Sequence, residues 1–175
     1  VRSWGEDRAP LLGLQTGDEA EALAGELSQE YERLFGGPGE ESVSLVESRY
    51  KPWTEDADCR LSFAREKGLL MGDSALHMAH IFRHLGVEVP EPFRSCPDHL
   101  VLELEFLSAL YGQAADREVR QFLHDHLDWI PRMKRDLIRL CPHPFYLSAA
   151  ELLDAFLRHE KARLETRDDG KKNLH

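Results

Sequence analysis

Apolar residues recur at helical spacing along most of the chain, and strict alternation is sustained nowhere. Ala20, Leu23, Ala24, Leu27, Tyr31, Leu34 and Phe35 form a single stripe. Thr16-Gly-Asp-Glu19 precedes it, a hydroxyl and a carboxylate three residues apart that suit a capping box. Gly36-Gly37-Pro38-Gly39 ends that helix, because glycine accepts the left-handed cap and proline cannot continue the ladder. The polar stretch 40–55 carries Pro52 and reads as a loop or short turns holding Tyr50 and Trp53. Helices are then predicted over about 56–67, ending at Gly68, and about 74–85, ending at Gly86.

Pro90 and Pro92 make 87–94 a linker and the best hinge candidate. Ser95-Cys-Pro-Asp98 offers another capping box, opening a helix over about 97–111. Leu100, Leu104, Leu107 and Tyr111 occupy one face of it, and Leu102, Phe106 and Ala109 much of the opposite one. A helix apolar nearly all round is expected to be buried on most sides. Over 116–129, Val119, Phe122, Leu123, His126 and Leu127 share a stripe. Pro131 breaks or restarts the chain into 133–140, which Pro142 and Pro144 end. Ser148-Ala-Ala-Glu151 caps a last helix burying Leu152, Leu153, Phe156 and Leu157. The expected architecture is all-α: a single-domain bundle of about six or seven helices over 1–175, with 1–15 and 166–175 poorly ordered.

Composition narrows the function. Lys plus Arg total 22 against 32 Asp plus Glu, a net charge of −10 that disfavours nucleic acid and favours a basic peptide or protein. No apolar run reaches the about 18 residues of a membrane span. Cys59, Cys96 and Cys141 show no pair spacing, which fits a reduced cytoplasm. Because the chain begins at Val1 rather than Met, a missing upstream segment is expected.

Catalytic and cofactor motifs are scarce. Nucleophile elbows, phosphate-binding loops and dinucleotide turns are absent from the sequence, so nucleophilic catalysis finds little support and no cofactor is expected. His77, His80 and His84 align on the polar flank of one helix and supply the alternative of a metal-binding enzyme or sensor, without matching carboxylate or cysteine ligands nearby. His124 and His126 face different sides of a helix. What remains is Pro97-Asp98-His99 with Glu103 and Glu105, ionisable groups on an apolar helix that are costly to bury unless paired or used. In one reading Asp98 caps, His99 pairs with Glu103 and Glu105 looks outward. In the other they form an acidic, imidazole-bearing rim of a groove suited to guanidinium groups.

Pro97-Asp98-His99-Leu100, with Glu103-Leu104-Glu105-Phe106 and Leu110, resembles the signature helix of the TorD/DmsD family of cytoplasmic molybdoenzyme maturation chaperones, which includes NarJ-like proteins. Glu30-Tyr31-Glu32-Arg33-Leu34-Phe35, Ser48 with Tyr50, and Phe122, His126-Leu127, Trp129 and Pro131 agree in order. An acidic residue often precedes the family's Pro-Asp-His element, where Ser95 and Cys96 stand here. The resemblance implies a cytoplasmic, non-enzymatic chaperone. Its partner would be a molybdenum-oxidoreductase precursor bound through a twin-arginine leader, with no membrane insertion and with a homodimer permitted by the linker. The implied leader contacts are Asp98 on a guanidinium, His99 beside it, Glu105 as a second acid, and Tyr50 and Trp53 as an apolar wall. Tyr31, Phe35 and Trp129 are expected in the core. A NarJ-like factor that docks only on the mature enzyme is a further alternative.

Overall fold

The computed structural model describes residues 18–37 and 41–172, with side chains described for 20–37 and 41–166. Six α-helices follow in order: α1 Asp18–Phe35, α2 Asp73–His84, α3 Leu100–Gln113, α4 Asp116–His126, α5 Ile130–Arg139 and α6 Pro144–Lys172. Two 3₁₀ turns, Glu47–Arg49 and Glu91–Phe93, interrupt the loops. No strand occurs among the described residues beyond one isolated bridge between Val46 and His99. The all-α expectation holds.

The contacts divide the chain into two compact units, 1–43 with 134–152 and 44–133 with 153–175. In the first, Tyr146 donates its hydroxyl to the Leu27 carbonyl at 2.6 Å. The backbone N–H of His143 donates to Glu30, and Arg33 forks onto Glu30 and reaches the Leu140 carbonyl. The Val43 N–H donates to the Leu34 carbonyl above a fully buried Leu34 side chain. Tyr31, expected in the core, is 43 % exposed; its ring leans on Phe35 and Tyr146 at the edge of this packing. Thr16 of the expected capping box, and Pro38 and Gly39 of the stop, lie outside the described residues.

In the second unit Met78, Phe82, Leu102, Leu107, Val119, Phe122, Leu123, Leu127, Trp129 and Ile130 are buried. Helix α3 is less enclosed than its composition predicts: Leu100, Leu102, Glu103 and Leu107 face inward while Val101 and Tyr111 are exposed.

Four expectations need correction. No helix forms over 56–67. The chain doubles back there instead, with the Trp53 and Thr54 N–H groups donating to the Glu66 and Ala64 carbonyls and Arg65 donating to the Thr54 and Asp56 carbonyls. Thr54 and Asp56 satisfy backbone donors locally, the competition by which such side chains favour turns over helix. Helix α3 starts at Leu100 rather than 97, with His99 as its N-cap: Nδ1 accepts from the Val101 N–H. Helix α4 ends at His126 and α5 restarts at Ile130, placing Pro131 in a first turn, where its missing N–H costs nothing. The last helix opens at Pro144, not Ser148, capped by the His143 ring, which accepts from the Phe145 N–H; Leu152 on it is 56 % exposed.

Candidate functional site

The start of α3 is fixed by pairing distant in sequence. The carbonyl of Asp98 accepts from the Glu47 N–H at 3.0 Å, and its Oδ2 accepts from the Ser48 N–H at 2.7 Å. Asp98 therefore caps the 3₁₀ turn 47–49 rather than its own helix. Its side chain, expected to meet a guanidinium, is closed to solvent. Burial pushes its carboxyl above the ordinary range, against the Ser48 donor that lowers it.

That turn carries Glu47 into the interior. Oε2 of Glu47 lies 2.8 Å from Nδ1 of His126 on α4. Lys51 sits 2.6 Å from Oε1, off the alignment of a hydrogen bond, and 2.7 Å from Asp128. It also donates to the Asp125 carbonyl. Burial works against the Lys51 charge, but Glu47 and Asp128 outweigh it and raise its pKa. Nε2 of His126 lies 2.8 Å from Nδ1 of His77, so Glu47, His126 and His77 form a relay from the interior to the surface.

Glu103 enters the same interior from α3 and accepts from the Trp129 indole N–H at 3.2 Å. It does not pair with His99, whose ring packs on Phe93 instead. Burial, then the Glu47 charge, hold the Glu103 carboxyl well above its ordinary value, so it is kept as the neutral acid. Ligand atoms of Glu47, Glu103 and His126 lie within 4.8 Å of one another. They could hold a cation in principle, yet Lys51 already neutralises Glu47 and a protonated Glu103 needs no counter-charge. Oε1 of Glu103, Oδ1 of Asp98 and Oγ of Ser48 have no hydrogen-bond partner among the described residues.

The other predicted site residues are scattered. Tyr50 is buried, stacked on Trp129 at 5.1 Å with its hydroxyl on the Ser44 carbonyl. Trp53 is half-buried with the Phe63 ring edge-on at 5.1 Å. His99 is half-buried, and burial lowers its pKa. Glu105 is exposed beside a small apolar groove of about 220 Å³ formed by Phe82, Val87, Pro90, Leu102 and Phe106, with Glu88 also in its lining.

Above the relay lies a larger polar cleft of about 640 Å³ with His126 in its lining and His77, Asp125, Glu55, Lys67 and Arg132 among its other walls. Of the three aligned histidines, His80 and His84 stack on each other while His77 turns to His126. Glu47, His126 and His77 did not stand out as a set, being 79 and 49 positions apart. One signal was present: His126 is a polar residue on the buried stripe of α4.

The family model described as nitrate reductase delta subunit matches residues 5–135. The chain belongs to this TorD/NarJ family. Curated relatives named chaperone protein TorD, from Salmonella paratyphi B, Salmonella newport and Salmonella enteritidis PT4, are each 31 % identical over 157 residues. The alignments cover 76 % of this chain and 71 % of each relative. All the segments of the relay and of the Asp98 cap fall inside the family match. As a TorD-family member the chain is a chaperone and not an enzyme. Among the described residues no helix is long and apolar enough to cross a membrane.

Proposed function

We propose that the chain is a cytoplasmic maturation chaperone that binds the twin-arginine leader, the apo form, or both, of a molybdoenzyme precursor and assists cofactor insertion before export. The observation that carries this reading is the match to TorD chaperones over three-quarters of the chain. The net charge of −10 favours a cationic segment. The apolar groove lined by Phe82, Leu102, Phe106, Glu88 and Glu105 suits the apolar run that follows the arginines of a leader. In this reading Glu105 meets the leader directly, and His99 and Trp53 contribute exposed edges. Asp98 and Tyr50 act from beneath, holding the 46–50 segment in place.

Calorimetric titration with a synthetic twin-arginine leader peptide tests this. Saturable binding that weakens with salt, and weakens again when both arginines become glutamine, is the expected result. Equal affinity for the arginine and glutamine peptides overturns leader recognition and leaves only the apo form as the bound part. The family description as a nitrate reductase subunit favours a second reading, docking on the mature enzyme. A leaderless precursor that still binds at full affinity selects that alternative.

A further inference from the structure

The cleft above the relay has an unused acceptor. An ionised Glu47 can only accept, so Nδ1–H of His126 donates to it and Nε2 of His126 accepts from Nδ1–H of His77. That assignment leaves Nε2 of His77 as a lone pair on an exposed ring at the cleft wall. Asp125 stands close enough to His77 to act on its charge, and only its Oδ2 is taken, by Gln121. The Glu55 carboxylate, also in the lining of the cleft, makes no ion pair among the described residues.

Charge favours a cation here. Four carboxylates line the cleft (Glu55, Asp73, Asp125, Asp128) and Glu47 lies beneath them, against Lys51, Lys67 and Arg132. Lys51 is consumed by Glu47, Asp128 and the Asp125 carbonyl, and Arg132 donates to the Tyr50 carbonyl. The cleft is large enough for a long side chain and its neighbours.

We propose that this cleft is a guanidinium receptor for one of the client's paired arginines, with Nε2 of His77, Asp125 and Glu55 as the accepting groups. The inference rests on the leader-binding reading and assigns the arginine to a place away from Asp98. A planar guanidinium presents five N–H donors spread over a rigid fork, so it meets an imidazole lone pair and a carboxylate together with less loss of freedom than the compact ammonium on its flexible stem. The relay has a defined task in this scheme: Glu47 fixes the His126 tautomer, and His126 fixes that of His77. Protonation of His77 would turn the acceptor into a repelling donor. His126 and Asp125 on α4, His80 on α2 and Glu47 act on its charge, and burial followed by His126 lowers its pKa, so the acceptor form prevails at neutral pH.

The test uses the full chain and three probes: N-acetyl-arginine amide, a synthetic peptide with two adjacent arginines before an apolar run, and its lysine counterpart. Nitrogen NMR of the histidine rings should show a lone-pair Nε2 on His77 that shifts with acetyl-arginine amide. Calorimetry should rank the arginine peptide above the lysine one. Asp125→Asn should weaken the arginine peptide about tenfold or more, as should His77→Phe, while His77→Gln, which keeps an acceptor, should retain more affinity. A protonated Nε2, an unmoved His77 signal, or unchanged affinity in Asp125→Asn and His77→Phe overturns the receptor. If the arginine peptide binds while His77 stays silent, the receptor fails and leader binding stands. If acetyl-arginine amide shifts His77 but no peptide binds, leader binding fails and with it the client arginine as occupant, while the guanidinium site itself stands.

Discussion

Oδ2 of Asp98 accepts from the backbone N–H of Ser48 at 2.7 Å, fifty positions earlier in the chain, with both residues closed to solvent. One carboxylate thus ties the entrance of α3 to the turn that carries Glu47. Asp98→Ala leaves a buried donor unpaired and should cost about 1–3 kcal/mol. Asp98→Asn keeps an accepting oxygen and should cost less. Urea unfolding of the two variants checks this ordering.

Glu47 is the common partner of Lys51 and His126. Removing it leaves the buried Nδ1–H of His126 unpaired, while Lys51 keeps Asp128 and the Asp125 carbonyl, so Glu47→Ala should lose about 1–3 kcal/mol. A midpoint within error of the parent protein would refute the network.

Glu103 gives a pH signature. Its folded pKa is raised, so the folded chain binds a proton that the unfolded chain releases above the ordinary carboxyl range. Its contribution is fully present at low pH and is lost as pH rises toward the folded value, on the order of 1 kcal/mol per pH unit. Asp98 slopes the same way. Glu103→Gln mimics the neutral acid and keeps an acceptor for Trp129. It should raise the melting temperature at pH 8 and leave it nearly unchanged at pH 5. Scanning calorimetry at the two pH values distinguishes these effects.

Glu105 lies exposed at the lip of the apolar groove. Glu105→Lys should therefore alter stability by no more than about 0.5 kcal/mol. On the leader-binding reading it should weaken a cationic leader severalfold at low salt and by less in high salt. Fluorescence anisotropy at two salt concentrations measures the difference.

Helices were legible where a clean apolar stripe met a stop: α1 ends at Phe35 before Gly36, and α2 at His84 before Gly86. The segment 52–72 was not, because its structure is decided by pairing across the turn. Gly72 shows the constraint: a Cβ there would sit 2.6 Å from the Trp53 carbonyl oxygen. The signature helix was recognisable, but the partner of its aspartate was not, since local spacing suggested a cap for α3 and the Ser48 N–H lies in another segment. His99 likewise had Glu103 at helical distance, yet its N-cap position turned the ring toward Val101 and Phe93.

The contacts of α1 bear on how the polypeptide is made. Its bonds to Leu140 and Tyr146 span 107 and 119 positions. A growing chain therefore cannot make these bonds until most of the remainder has left the ribosome, and a long loop must close before they form. During its own synthesis this chaperone carries its first helix for more than a hundred residues before the partners that fasten it exist.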